Sequence, residues 1–268
     1  MDSLLAPFPT VRAMVFHRYM STGVTRPTLF QCAADSGDME DYVVKFRTAR
    51  YGSTSGCLFE AFAAYLARHF SLPIPPPAIV QFDPDLPSAL SFEPELRDRL
   101  EQDSGFAFGS RLLTGYSTVP LSSSLPTDLR DIAVDVMAFD GLIANFDRSR
   151  TNPNILWNDE GLVLIDHELA FRFLDDPLWD AATPWHRRLY YLEDHALFRP
   201  LQRSPRGRVD LDRFGSALRA LTDERLAEIC DRLPVDFGTD RAQEICGHLR
   251  RTREEAATFL QAVWGRIR

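Results

Sequence analysis

The chain has little lysine, little cysteine and no long apolar run. Of its 30 lysine and arginine residues, one is a lysine, Lys45. The four cysteines form no CxxC pair and no His/Cys metal spacing, which argues against structural zinc and predicts reduced thiols in the cytoplasm. No stretch approaches the roughly 18 apolar residues of a membrane span, and the N-terminal residues do not resemble a signal peptide. We therefore expect a cytoplasmic protein with no membrane partner.

Basic charge is scarce relative to acidic charge. The formal net charge is −8, whereas proteins that bind nucleic acid cluster lysine and arginine against the phosphate backbone. A nucleic-acid partner is therefore not expected. The 268 residues are 45% hydrophobic, which is enough to bury a large core without disulfides.

The pattern of strands and helices predicts an α+β fold in two lobes. Short strands separated by turn residues predict a small antiparallel, β-rich N-terminal lobe at 1–110, with one helix near 57–70. The segment 83–105 is rich in Asp, Glu, Pro and Ser and is predicted to be an exposed acidic insertion with one turn of helix at "PELRDRLEQ". Gly109 marks the place where the chain is expected to bend between lobes. Residues 111–268 predict a mainly helical C-terminal lobe with a β-hairpin near 154–166.

The polar residues with the clearest chemistry are a lysine in a strand and a cluster at 145–170. Lys45 interrupts the apolar strand "DYVVKF", where a compact charge on a flexible stem can reach a phosphate. In the cluster, Asp147 precedes an amide, Asn152 or Asn154, and Asp166 follows the apolar strand "LVLI". Carboxylate and amide oxygens are suited to Mg²⁺ that carries substrate phosphates. This order of residues is what phosphoryl transfer requires.

Four segments together resemble the HipA-like branch of the protein-kinase-like superfamily, which is related to phosphatidylinositol 3-kinases. They are "VVKF", "FEAFAAYLARHFSLPIPPPAIV", "NFDRSRTNPNILW" and "LVLIDHELAF". The resemblance spans roughly residues 11–175 and implies a bilobal kinase-like fold that uses ATP and Mg²⁺. The catalytic loop and metal motif would then lie within 145–170.

The resemblance also implies roles for individual residues. Lys45 would contact the ATP phosphates and pair with Glu60 on the following helix. Asp147 would be the catalytic acid/base, and Arg148 would hold either the loop or a phosphate. Asp166 would bind the metal together with one amide. Asn152 lies at the usual kinase interval after Asp147, whereas Asn154 directly precedes a strand as the metal-binding amide usually does; Asn154 is favoured and Asn152 stays open.

The sequence departs from most protein kinases in three places. No GxGxxG separates the first two strands, so Ser21, Thr22, Gly23 and Val24 are candidates for the phosphate-covering loop by position alone. The metal motif is Asp-His-Glu at 166–168 rather than Asp-Phe-Gly, and no Ala-Pro-Glu follows. These departures leave the substrate class and the means of activation open.

The leading functional hypothesis is an ATP-dependent kinase that phosphorylates a hydroxyl, on a Ser or Thr of a protein or on a small molecule. Because the family it resembles includes toxins of toxin–antitoxin systems, the resemblance adds an antitoxin to the candidate partners by analogy alone. The alternatives are a nucleotide-binding pseudokinase that serves as an interaction module, and an adenylyl transferase on the same fold. A metal-dependent hydrolase built on Asp147, Asp166 and His167 is a further enzyme class, although no HExxH pattern supports it.

Overall fold

The computed structural model describes residues 6–21, 25–47, 55–90, 92–102, 105–119, 124–126, 129–175, 189–203 and 210–267. Within these ranges the strands are β1 Thr10–Tyr19, β2 Thr28–Ala33, β3 Met39–Lys45, β4 Pro77–Gln81, β5 Phe106–Arg111, β6 Ser117–Thr118, β7 Ile155–Asn158 and β8 Gly161–Leu164. The helices are α1 Gly56–His69, α2 Leu86–Ala89, α3 Pro94–Gln102, α4 Arg130–Leu142, α5 Phe198–Arg203, α6 Asp212–Ala220, α7 Asp223–Arg232, α8 Thr239–Glu254 and α9 Ala256–Ile267, with short 3-10 helices at Arg172–Asp175, Leu189–Glu193 and Val235–Phe237. This mixture confirms the predicted α+β class.

The N-terminal strands form a closed barrel rather than an open antiparallel sheet. The strand order is β1-β2-β3-β5-β4, and the barrel closes because β1 also pairs with β4. That closing pair is parallel, with Thr10 opposite Ile79, whereas the other four pairs are antiparallel. The prediction of a purely antiparallel lobe was therefore wrong at this contact. Alternation along a strand indicates which face is buried but not which distant strand lies beside it.

Gly109 has a packing role in the barrel. It lies inside β5, opposite Val44 on one side and Ala78 on the other. A Cβ atom at this position would lie 2.6 Å from Cγ2 of Val80, so any other residue would require the buried Val80 side chain to move. The expected bend between lobes at Gly109 is not where the chain leaves the barrel, because β5 continues to Arg111.

The acidic segment 83–105 is folded and partly buried. It contains the short helix α2 and the nine-residue helix α3, whose Leu96 and Leu100 pack into the barrel core. The buried guanidinium of Arg99 donates hydrogen bonds to the backbone carbonyls of Thr25 and Arg26, at 3.3 and 3.1 Å. The prediction of an exposed connection fits its many exposed residues but not Leu96 and Leu100, an i, i+4 pair that is buried.

Helix α1 belongs to the main hydrophobic core. Its residues lie in one cluster with buried side chains of α4, α6, α8 and α9, whereas the barrel interior forms a separate cluster. Phe62 meets Phe171 edge to face with ring centres 5.8 Å apart, and Phe70, just after α1, stacks on Phe214 at 4.5 Å. The helix that the sequence places in the N-terminal lobe is thus anchored in the C-terminal part. The division at residue 110 stays a prediction.

The C-terminal part combines a small sheet with the remaining helices. Strand β7 pairs with β8 in a hairpin and with β6 on its other side. Four separate helices, α6 to α9, follow toward the end of the chain. Thr222 starts α7 by accepting a hydrogen bond from the amide of Arg225 at 3.3 Å. Among the described residues, no helix is both long and apolar enough to cross a membrane.

Candidate active site

Lys45 lies at the centre of a cluster of carboxylates. Its Nζ is 2.6 Å from Oε1 of Glu60, 2.6 Å from Oδ1 of Asp166 and 3.3 Å from Oε2 of Glu168. Burial by itself lowers the pKa of Lys45, but the charges of these three carboxylates raise it well above its usual value. Burial raises the pKa of Glu60, whereas the Lys45 charge and a hydrogen bond from His167 lower it to about 2. Lys45 and Glu60 are therefore held as a charged pair.

Local structure explains why Lys45 and Glu60 meet. Tyr42 and Val44 point into the barrel, so the alternation of β3 turns Lys45 outward, toward the face that α1 covers. Glu60 is buried in α1, a helix whose other side chains are mostly apolar and buried. A buried carboxylate needs a compensating charge, and Lys45 supplies it. The Lys45–Glu60 contact is the one that the sequence analysis expected.

Asp166 reaches the cluster through a left-handed turn after β8. The residue has a φ of 61°, and Asn154, at the other end of the hairpin, has a φ of 47°. Aspartate and asparagine adopt this conformation more readily than most residues do. The amide of Ile165 donates to the carbonyl of Asn154 at 3.1 Å, so the hairpin ladder brings Asn154 next to the Asp166 turn. The hairpin thus brings the backbones of Asn154 and Asp166 to the same end of the β7–β8 pair.

Asp147 holds both candidate amides. Its Oδ2 accepts a hydrogen bond from Nδ2 of Asn152 at 2.8 Å and from Nδ2 of Asn154 at 3.0 Å. Each bond uses the amide nitrogen, which leaves the amide oxygen as an available ligand atom. Asn154 is half-buried beside the hairpin, whereas Asn152 is exposed two residues earlier. This position favours Asn154 as the partner of Asp166, although either amide keeps its contact with Asp147.

Arg148 is buried beneath the loop that leads from α4 to β7 and does not reach solvent. Its side chain is fully enclosed, and its Nε lies 2.7 Å from Oδ2 of Asp140. The same guanidinium donates to the carbonyls of Asn154 and Ile165 and to Nε2 of His167. Of the two roles considered from the sequence, these contacts fit the one in which Arg148 holds the loop. The phosphate-binding alternative fails because no side of the guanidinium is exposed.

Asp140 and His195 are parts of this arrangement that the sequence analysis missed. Asp140, in α4, accepts hydrogen bonds from Arg148, from Asn145 at 3.0 Å and from Nε2 of His195 at 2.9 Å. Burial raises the pKa of Asp140, but the Arg148 charge and the bond from His195 outweigh it and leave the pKa below its usual value. The sequence does contain a sign of this role: Asp140 lies within the apolar run "VMAFDGLIAN", and an acid that is buried with such a run requires hydrogen-bond or charge partners.

Glu168 and Thr25 extend the cluster toward the β1–β2 connection. Oγ1 of Thr25 donates to Oε2 of Glu168 at 3.0 Å. Burial raises the pKa of Glu168; the Lys45 charge opposes this effect, whereas Asp166 and Glu60 add to it. Of the four residues proposed for the phosphate-covering loop, Ser21 is exposed, and Thr22, Gly23 and Val24 lie outside the described residues.

Carboxylate oxygens converge around the Lys45 ammonium. Within the described part of the chain, Glu60, Asp166 and Glu168 bring carboxylate oxygens within 4.8 Å of one another. Lys45 pairs with all three, and Asp166, which follows the hairpin that begins at Asn154, is the carboxylate best placed to share an oxygen-ligand site for Mg²⁺ with an amide. His167 contributes to packing, because its backbone amide donates to Glu60 and its ring accepts from Arg148. Beside the cluster, a small open depression lies between α1, the β4–β5 pair and β8.

Comparison with known proteins identifies a family and a solved structure to which this chain is similar. The family model described as HipA-like kinase matches residues 13–186. Among solved structures, the chain is similar to the Helicobacter pylori proinflammatory kinase CtkA, with 15% sequence identity and a TM-score of 0.50. That alignment covers 97% of this chain and 98% of the other, and at this identity it shows a shared fold alone. A search of curated proteins finds no match.

Proposed function

Because this chain belongs to the HipA-like kinase family, we propose that it transfers the γ-phosphoryl group of ATP to a hydroxyl in a Mg²⁺-dependent reaction. The observation that carries the proposal is the convergence of Lys45, Glu60 and Asp166 from three separate parts of the chain. Catalysis of phosphoryl transfer consists largely of positioning and charge stabilisation, and these residues offer both. The acceptor we propose is a Ser or Thr of a protein.

Each residue of the site then has a defined task. Lys45 binds a phosphate through its ammonium group, and Glu60 orients the lysine from α1. Asp147 orients the acceptor hydroxyl and takes its proton. Asn154 and Asp166 are the residues that would hold Mg²⁺, which when bound neutralises phosphate charge. Arg148 positions the loop from beneath through its contacts with Asp140 and the hairpin carbonyls.

Thermal unfolding with and without Mg²⁺·ATP tests nucleotide binding. Ligand at about a hundred times its dissociation constant adds roughly 2.7 kcal/mol to the free energy of unfolding. For a protein of this size that raises the midpoint by roughly 5–11 °C. Lys45→Met should abolish this rise, because the variant lacks the proposed phosphate-binding ammonium. The midpoint of the variant with ligand should be compared with its own midpoint without ligand, since the substitution also leaves three carboxylates without their cation and so changes the stability of the free protein.

Asp147→Asn separates binding from catalysis. This variant keeps the size of the side chain and should keep the thermal shift, but phosphoryl transfer should fall by at least ~10², since the general base is lost. Label in the γ-phosphate of ATP should reach the acceptor, and label in the α-phosphate should not. Transfer of the α-label would instead indicate adenylyl transfer, and a thermal shift without any turnover would indicate a pseudokinase.

The two asparagines provide a matched pair of variants for the metal site. Asn154→Gly tolerates the positive φ of this position and removes the amide; kcat should fall by about a hundredfold, and the reaction should need more Mg²⁺. Asn152→Ala removes the equivalent hydrogen bond to Asp147 from an exposed position and should cost less than about tenfold. The reverse ranking would assign the metal to Asn152.

The resemblance to toxin kinases suggests one biological role for the proposed kinase activity, which is growth arrest. Expression of the wild-type protein should then slow growth, and Asp166→Asn should relieve the arrest at equal protein level. Arrest that persists in Asp166→Asn would separate any toxicity from phosphoryl transfer.

A further inference from the structure

Glu168 contacts both Lys45 and Thr25. One oxygen of its carboxylate, Oε2, lies 3.3 Å from Nζ of Lys45 and accepts the hydroxyl hydrogen of Thr25 at 3.0 Å. Only 13% of the Glu168 side chain is exposed. Thr25 is itself fixed, because the buried Arg99 of α3 holds its carbonyl and that of Arg26. The carboxylate therefore bridges the β1–β2 connection and β3 through one atom.

The charges of the cluster do not balance. Three carboxylates, of Glu60, Asp166 and Glu168, surround the single ammonium of Lys45. An ammonium has three N–H donors, and Glu60 and Asp166 each accept one at 2.6 Å. Glu168 is the next anion around the same nitrogen, so little of the lysine remains available to a phosphate. A phosphate that approaches Lys45 also meets the excess negative charge.

We propose that Glu168 competes with the nucleotide: its carboxylate takes the contacts to Lys45 and Thr25 that a phosphate would make, and a phosphate binds when it displaces this side chain. The inference rests on the proposed function, since it concerns ATP at the same lysine. Glu168 then sets both the affinity for ATP and the extent to which that affinity depends on a divalent cation. Asp166 would hold the divalent cation, whose positive charge would offset that of the neighbouring carboxylates, so that Glu168 would hold the lysine less strongly.

Glu168→Gln is the informative variant, because it removes the negative charge and keeps the size of the side chain. The dissociation constant of ATP should be measured by calorimetry in Mg²⁺ and in EDTA. We expect ATP to bind Glu168→Gln about tenfold more tightly than wild type in EDTA, which corresponds to ~1.4 kcal/mol. The gain should be smaller in Mg²⁺, because the cation already offsets the charge in the wild-type protein.

Glu101→Gln is the matched control. Glu101 is an exposed residue of α3, and its substitution changes the net charge of the protein by the same amount. Its affinity for ATP should equal that of the wild-type protein under both conditions. The midpoint of thermal unfolding without ligand should be measured for both variants, to show that they are folded.

The outcomes distinguish this inference from the proposed function. If wild type binds Mg²⁺·ATP and Glu168→Gln binds ATP with equal or lower affinity in EDTA, the competition is refuted and the nucleotide site stands. If neither protein binds ATP at millimolar concentration in Mg²⁺, the proposed function fails and the inference fails with it. ATP binding that appears only in Glu168→Gln would support the competition in its strongest form.

Discussion

Replacement of Arg148 by methionine should strongly destabilise the protein. The Arg148 and Asp140 side chains are both fully buried, so solvent does not screen their ion pair. Removal of one partner of a buried pair typically costs ~3–5 kcal/mol, because the other charge loses its compensation. Asp140 retains His195 and Asn145, but the hairpin carbonyl of Ile165 also loses its donor. We therefore expect a loss of ~3–5 kcal/mol in the free energy of unfolding.

Denaturant unfolding with linear extrapolation measures this loss, and Arg150→Met provides the control. Arg150 lies in the same loop as Arg148 and pairs with Asp194, but both side chains of this pair are exposed. Removal of the Arg150 charge should therefore cost at most ~1 kcal/mol. The double variant Asp140→Asn/Arg148→Met should be more stable than Arg148→Met alone, because it removes the uncompensated charge. If Arg148→Met were no less stable than Arg150→Met, the buried pair would not support the loop as we argue.

Two further predictions concern stability. Gly109→Ala should lower the free energy of unfolding by ~1–3 kcal/mol, because the new Cβ would lie 2.6 Å from Cγ2 of Val80. Gly265→Ala is the control: this glycine lies in an open position of α9, so its replacement should be neutral or stabilise the protein by up to ~1 kcal/mol. Thermal unfolding of both variants measures the difference. Burial lowers the pKa of His248 from 6.5 to about 4 in the folded protein. Above pH 6.5 the imidazole is neutral in both the folded and the unfolded chain, so its burial costs no charge there. Between these values the unfolded chain binds a proton that the folded chain does not, and wild type should lose up to ~3 kcal/mol more than His248→Gln as the pH falls from 7 to 4. Equal pH dependence of unfolding in wild type and His248→Gln would contradict the assignment.

Much of the site could be predicted because its residues sit at the ends of recognisable elements. Lys45 is in an apolar strand, Glu60 in the next helix and Asp166 just after a strand, and their order along the chain is enough to suggest a shared site. The contacts between Lys45, Glu60 and Asp166 follow that expectation. Glu168 is the last residue of the Asp-His-Glu segment at 166–168, but its contact with Thr25 joins residues 143 positions apart and has no local signal in the sequence.

The sequence by itself determined the α+β class, the family and the order of the chemical residues. These properties depend on local periodicity and on side-chain type, both of which can be read directly from the amino-acid sequence. Only the tertiary structure decided that β1 closes the barrel against β4 and that α1 packs into the C-terminal core. It also placed Arg148 beneath the loop rather than in the cleft. These features depend on which distant surfaces bury one another, and burial decides whether a charged side chain meets solvent, a phosphate or a buried carboxylate.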